Sequence, residues 1–231
     1  MSKALQALIF DFDGTLAELN LDFTRMRKGI KALQEAFLPE MEMPEGSWPV
    51  LEKVEEIRDL LEERQSGLGL EFASRCRLLI IALEMDAANL GRLFPYSLRI
   101  LETLTNRGLK TAIVTRNCTA AVKMLLPDIE KRCGVFLARE DVPQAKPHPG
   151  HIQAALEGLG CKAECSLLVG DHVLDIQAAR ACGTKSAAVA TGRLGLGELG
   201  MADPDYLASD LPALMQSLQD MGLLPVGKDL T

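Results

Sequence analysis

The chain predicts a doubly wound α/β fold with a helical segment inserted into it, and three observations carry that prediction. A short apolar run, residues 5–10, ends in Asp11-Phe12-Asp13-Gly14-Thr15-Leu16. From Pro95 onward, apolar runs of strand length alternate with amphipathic stretches of helix length. Between the two lies a block with helical periodicity alone. Regular βα alternation with mostly apolar strands is the pattern of a parallel sheet covered on both faces.

Taken in order, residues 5–10 read as a buried strand, and Gly14 permits the sharp exit that follows it. The inserted block comprises helices predicted over residues 23–37, 50–65 and 71–85, each with apolar residues at helical spacing. Pro39, Pro44, Gly46 and Pro49 separate the first two, and Gly67-Leu68-Gly69 separates the second from the third. A helix over 96–107 stops at Gly108, the expected left-handed position just past a C-terminus. Strands are predicted near 110–114, 134–138, 166–169 and 185–190, with helices near 119–126, 149–158 and 173–181 between them. Tyr206-Leu207 and a helix over 211–221 complete the domain, and the tail from Gly222 is expected to fray. The expected division is a Rossmann-like core of residues 1–16 and 89–231 around a helical cap of residues 17–88.

Bulk composition narrows the function classes. The 231 residues include 25 Lys and Arg against 32 Asp and Glu, a formal charge of −7, which disfavours nucleic acid or an anionic membrane as a general partner. A local basic pocket for a small phosphate ester remains compatible with that balance. The start of the chain leads straight into the acidic motif and reads as neither signal peptide nor membrane span. Six cysteines without a Cys-x-x-Cys pair read as reduced thiols, hence a cytoplasmic protein.

The chemistry-bearing residues stand at strand ends. Asp11 and Asp13 follow the first strand, where open α/β sheets hold their ligands. A close carboxylate pair is costly without positive charge beside it, and a hard divalent cation is the natural partner for oxygen ligands. Thr115 ends the run Thr111-Ala112-Ile113-Val114, with a hydroxyl able to donate to a phosphate oxygen and the backbone amides of Arg116 and Asn117 alongside. Asn117 or Thr119 is the expected cap of the next helix. Lys146 precedes Pro147, which favours an extended approach, and sits at a helix entrance as a candidate phosphate clamp. Gly170 and Asp171 close another strand, and Asp175 lies one helical turn beyond Asp171 on the same face. Asp175 can address a cation or simply complement the helix dipole. His148 and His151 are expected as helix-start residues, and His172 as solvent-facing in preference to substrate-facing.

Two glycine patterns are set aside. Gly195-Leu196-Gly197-Glu198-Leu199-Gly200 matches a dinucleotide fingerprint, but its place near the C-terminus suggests a flexible loop. Residues 222–228 mimic a phosphate-binding loop, yet Asp229 stands where a hydroxyl is required.

With Asp11, Asp13, Thr115, Lys146, Asp171 and Asp175 in this order, the chain resembles the haloacid dehalogenase-like hydrolase superfamily, most closely its phosphatases of the phosphoglycolate type. The resemblance implies a helical cap between the first and second motifs, acting as a lid. It implies Asp11 as nucleophile through an aspartyl-phosphate, and Asp13 as general acid and base. It further implies Thr115, Arg116 and Lys146 around the phosphate, and Mg²⁺ held by Asp11, the Asp13 carbonyl, Asp171 and Asp175. Asp13 is absent from the dehalogenase branch, so its presence favours phosphoester chemistry. The implied partner is a small phosphorylated metabolite, and the implied assembly a monomer or homodimer. A sugar-phosphate mutase of the same superfamily stays open as an alternative. So does a phospho-accepting signalling module, although there the acidic residues all precede the threonine and lysine.

Overall fold

The protein is described by a computed structural model over residues 4–225. Its elements in chain order are β1 (Ala7–Phe10), β2 (Ala17–Glu18), α1 (Phe23–Phe37), α2 (Val50–Arg64), α3 (Leu68–Leu90) and β3 (Arg92–Leu93). There follow α4 (Ser97–Asn106), β4 (Lys110–Val114), α5 (Thr119–Leu125), β5 (Val135–Leu137), α6 (Gly150–Leu159) and β6 (Ser166–Gly170). The chain continues through α7 (Val173–Cys182), β7 (Lys185–Val189), α8 (Leu196–Met201), β8 (Tyr206–Ala208) and α9 (Leu211–Asp220).

Among the described residues, six strands form one parallel sheet in the order β5-β4-β1-β6-β7-β8. The chain builds outward from β1 to β4 and β5, then returns to β6 on the other side of β1. That reversal makes the expected doubly wound sheet, and it sets a switch point at the carboxyl ends of β1 and its neighbours. Alternation places Ala7 and Ile9 on one face, packed with Ala112, Val114 and Leu168 beneath α6 and α7. Leu8 and Phe10, also fully buried, turn to the opposite face. Alanines at 155, 178 and 179 let the helices approach the sheet closely.

Contacts divide the chain into two units, one of Asn20–Asn89 and the other of the flanking segments. This unit starts three residues after the expected 17 and ends one residue after the expected 88. Ala17 and Glu18 pair antiparallel with Leu93 and Arg92, a short ribbon that holds residues 17–19 with the sheet. Nothing in the sequence marks so short a ribbon. In the helical unit, Asp22 caps α1 by accepting from the Arg25 amide at 2.8 Å. Val50, Val54, Ile57 and Leu61 form the buried stripe of α2. Phe37 and Phe72 meet edge to face at 5.6 Å.

Three local expectations are corrected. Gly67-Leu68-Gly69 does not delay the third helix to residue 71, because α3 already begins at Leu68. Gly69 sits inside its first turn, where a Cβ would lie 2.2 Å from the Arg58 carbonyl oxygen, so the glycine serves close packing of α2 on α3. The supposed flexible loop at 195–200 is largely helix α8, anchored by buried Leu199 against Ile176 and Ala188. It leads on to a parallel strand, β8, but its first glycine lies well beyond the end of β7, whereas dinucleotide turns join strand directly to helix. The tail does not fray at Gly222. Leu223 and Leu224 are buried, and the Leu223 carbonyl accepts from the Leu5 amide at 3.0 Å. Residues 226–228 of the phosphate-loop mimic lie outside the described residues.

Because Ile9 is fully buried in the central strand, Ile9→Ala is expected to destabilise the protein by about 2–5 kcal/mol. Urea unfolding should show a lower midpoint with an unchanged slope. A loss under about 1 kcal/mol would contradict the close packing of this strand.

Candidate active site

The site grows from the carboxyl edge of the sheet. The Asp11 amide still bonds the Val169 carbonyl at 2.8 Å, so Asp11 leaves β1 alongside the end of β6, whose next residue is Asp171. Parallel pairing of Phe10 with Ile113 puts Thr115 at the same edge on the other side of β1. Immediately beyond Asp11, the Phe12 carbonyl accepts from the amides of Leu16 and Ala17, both at 2.9 Å, closing a tight turn. Gly14 occupies that turn with φ +80°, a conformation that only glycine adopts readily.

Lys146 is the centre of the arrangement. Its side chain is 1% exposed, and Nζ lies 2.8 Å from Asp11 Oδ1 and 2.6 Å from Asp175 Oδ1. Burial alone lowers an ammonium pKa, but Asp11 and Asp175 outweigh it and hold the Lys146 value above its ordinary one. Asp175 occupies the first turn of α7 and also accepts from the His172 amide at 3.2 Å, so its carboxylate serves the helix start as well as meeting Lys146. His172 is exposed and caps α7, with Nδ1 accepting from the Leu174 amide at 3.2 Å. His148 likewise accepts from the Gly150 amide, at 3.1 Å, at the start of α6.

The carboxylates are crowded by design of the backbone around them. A Cβ at Gly14 would lie 2.3 Å from Asp171 Oδ2, and one at Gly192 only 1.7 Å from it. A Cβ at Gly170 would lie 2.2 Å from Asp175 Oδ2. The Thr191 hydroxyl donates to the Gly14 carbonyl, joining the loop after β7 to the Asp13 turn. Thr191 and Gly192 belong to no motif in the sequence, and their position just past the end of β7 is the one signal that marks them.

Electrostatics follow from this crowding. Burial pushes Asp11 up to about 6, with Lys146 pulling down and Asp175 pushing up. Asp13 reaches about 7, again chiefly through burial, although the Leu19 amide donates to its Oδ1 at 2.9 Å. Asp171 stands well above the ordinary carboxylate range because of burial and then of Asp11, Asp175 and Asp13. One lysine does not neutralise so much negative charge. Asp11, Asp171 and Asp175 each present an oxygen, all within 4.8 Å of one another. An all-oxygen donor set with surplus negative charge fits a hard divalent cation.

Thr115 is buried, and its Oγ1 accepts from the Asn117 amide at 3.1 Å, which leaves the hydroxyl proton to donate elsewhere. That contact commits the Asn117 amide. Neither Asn117 nor Thr119 caps α5, contrary to expectation. The Glu140 carboxylate takes that place, accepting from the Thr119 amide at 2.8 Å. Arg116 sends its guanidinium to the Lys146 carbonyl, and Arg139 donates to the Arg116 carbonyl at 2.7 Å. The Arg116 side chain therefore braces the lysine segment.

Residues 8–189 match the family model described as haloacid dehalogenase-like hydrolase. The chain is similar to Pyrophosphatase PpaX of Oceanobacillus iheyensis, 28% identical over 94% of this chain and 98% of that protein. Among solved structures, a hydrolase from Pseudomonas syringae superposes with a TM-score of 0.66 at 23% identity, covering 94% of this chain and 99% of the other. A predicted phosphoglycolate phosphatase from Haemophilus somnus gives 0.62 at 21% identity, covering 93% and 98%. These two structures share the fold. No helix among the described residues is long and apolar enough to cross a membrane.

The raised carboxylates set a pH dependence whose sign is fixed. A carboxyl with a folded pKa above its unfolded value favours the fold below the unfolded value and loses that contribution as pH rises through the folded one. With divalent cations chelated, stability should therefore fall by a few kcal/mol between pH 5 and pH 8, the window set by about 6 for Asp11 and about 7 for Asp13. Adding Mg²⁺ should flatten the curve, because a bound cation favours the ionised forms. Urea midpoints across pH, with chelator and with Mg²⁺, check this; a chelated protein more stable at pH 8 than at pH 5 contradicts it.

Proposed function

The chain belongs to the haloacid dehalogenase-like hydrolase family, and on that premise we propose that it is a Mg²⁺-dependent phosphatase that works through an aspartyl-phosphate on Asp11. The observation that carries this reading is the contact of buried Lys146 with both Asp11 and Asp175, beside Asp171, with Asp13 two residues beyond Asp11. Phosphoryl transfer is mostly positioning and charge stabilisation, and this cluster supplies both.

In the proposed reaction, an Asp11 carboxylate oxygen attacks phosphorus and the bond to the leaving oxygen breaks. Asp13 gives that oxygen its proton. A pKa near 7 suits the task, since the group is then substantially protonated at neutral pH and readily reionised. Water next attacks phosphorus, Asp13 takes its proton, the Asp11–phosphorus bond breaks and phosphate leaves. Lys146 balances charge on the transferring group, and the Thr115 hydroxyl donates to one of its oxygens. Asp11, Asp171 and Asp175, with the Asp13 carbonyl, would hold Mg²⁺, which supplies further neutralisation of phosphoryl charge when bound.

The acidic balance of the chain supports a small phosphorylated metabolite in preference to a nucleic acid. The core residues account for the phosphoryl group but not for a leaving group, so the helical unit of Asn20–Asn89 is the proposed source of selectivity. Phosphoglycolate is one proposed substrate. Inorganic pyrophosphate is a second, favoured by the full-length likeness to Pyrophosphatase PpaX.

Two outcomes test the reading. Asp11→Asn should lower turnover of p-nitrophenyl phosphate by at least about 1,000-fold in a protein that still folds, and retained activity in a pure sample would sink the nucleophile assignment. Chelation should abolish wild-type turnover and Mg²⁺ restore it. A panel containing 2-phosphoglycolate, pyrophosphate and sugar phosphates, scored for free phosphate and for isomer formation, separates phosphatase from mutase. A stable phosphoprotein without turnover would instead support a signalling module.

A further inference from the structure

His151, the second residue of α6, is fully buried and held at both ring nitrogens. Nδ1 accepts from the Lys146 amide at 3.3 Å, and Nε2 lies 3.2 Å from the Leu137 carbonyl oxygen. One tautomer satisfies both neighbours, with the proton on Nε2 and the lone pair on Nδ1. Burial pushes the imidazole down to about 4, the Lys146 and Arg116 charges push the same way, and the Leu137 carbonyl and Asp175 oppose them. The ring is thus neutral around pH 7, as that tautomer requires.

The two contacts reach further than a satisfied core histidine would need. The Leu137 carbonyl that meets Nε2 also accepts from the Thr115 amide, at 3.0 Å. The Lys146 carbonyl accepts from the Arg116 guanidinium. Both backbone polar groups of Lys146 are therefore held by side chains, and one of those side chains ties the lysine segment to the end of β5 and the Thr115 turn. A helix-start role alone explains none of this.

We propose that His151 is a positioning residue, fixing the Lys146 backbone so that its ammonium meets Asp11 and Asp175 and keeping that lysine in register with Thr115 through the shared Leu137 carbonyl. The functional part of this proposal rests on the reading of Lys146 as a phosphate clamp. A displacement of about 1 Å in a positioning element can cost on the order of 100-fold in rate. Loss of the imidazole should thus appear in kcat and not only in stability.

Three variants assayed with p-nitrophenyl phosphate and Mg²⁺, well below their unfolding temperatures, test it. His151→Asn places a carbonyl oxygen near the former Nδ1 and keeps an acceptor for the Lys146 amide. His151→Gln places its amide group near the former Nε2, keeping the Leu137 contact but not the Lys146 one. His151→Ala keeps neither. Per folded molecule, Ala and Gln should lower kcat by about 10- to 100-fold with KM changed less than about 3-fold, while Asn recovers most of the loss. Equal kcat for Asn and Gln, or variants that lose stability but keep wild-type kcat, would overturn the proposal. If the wild type turns over no phosphate ester, the functional reading fails on its own. Amide hydrogen exchange then decides the positioning: Lys146 should be protected in the wild type and Asn variant and exposed in Gln and Ala. Equal exchange in all four would overturn it.

Discussion

The ammonium of Lys146, buried between Asp11 and Asp175, is the interaction on which the rest of this site depends. Three carboxylates meet where water is scarce, and without a cation among them each would raise the cost of ionising the others. Breaking a buried ion pair by removing one partner typically costs about 3–5 kcal/mol, because the remaining charge is left uncompensated. The exposed pairs of this protein, such as Arg92 with Glu18, carry no comparable weight. Even so, one positive charge among three carboxylates leaves a deficit, and that deficit makes the site receptive to a divalent cation. Burial likewise raises Asp13, to about 7, with the Asp11 charge adding to it.

The fold makes this concentration of charge affordable. A parallel sheet brings the carboxyl ends of β1 and β6 together at the switch point, so residues distant in sequence become neighbours without long loops. Close approach is then a matter of what is absent. Glycines at 14, 170 and 192 leave room that a single methyl group would fill. The carboxylates are consequently held by backbone on several sides, a geometry that the fold itself fixes. Preorganisation of this kind is what electrostatic stabilisation of a transferring phosphoryl group requires.

Behind the lysine stands a second layer of contacts. Arg139 reaches the Arg116 carbonyl, Arg116 reaches the Lys146 carbonyl, and His151 links the Lys146 amide to the Leu137 carbonyl shared with Thr115. A lysine side chain is long and flexible, so its ammonium is only as well placed as its backbone. Three cationic or polar side chains thus bear, directly or through one another, on the Lys146 backbone.

Much of this was legible in the sequence. Strand and helix periods placed the sheet elements to within a residue or two, because their apolar faces are continuous and their ends carry glycine. The acidic motif, Thr115, Lys146, Asp171 and Asp175 were readable because strand-end positions in an alternating βα chain converge at one edge. The two-residue ribbon of β2 and β3 was not, since pairing so short leaves no period. Helix α8 was hidden by its glycines, and only the burial of Leu199 reveals why it holds. Gly69 looked like a helix breaker and proved to be a packing residue, a distinction that depends on the neighbouring helix. The caps by Glu140 and the histidine between Lys146 and Leu137 join residues from separate segments, and no local pattern encodes them. The sequence by itself determined the architecture and the chemical groups at its carboxyl edge, since hydrophobic period and residue type are local properties. Tertiary structure alone decided which carboxylates share the lysine, how far their pKa values rise and what holds that lysine still, because those are matters of distance and burial between parts of the chain that meet only on folding.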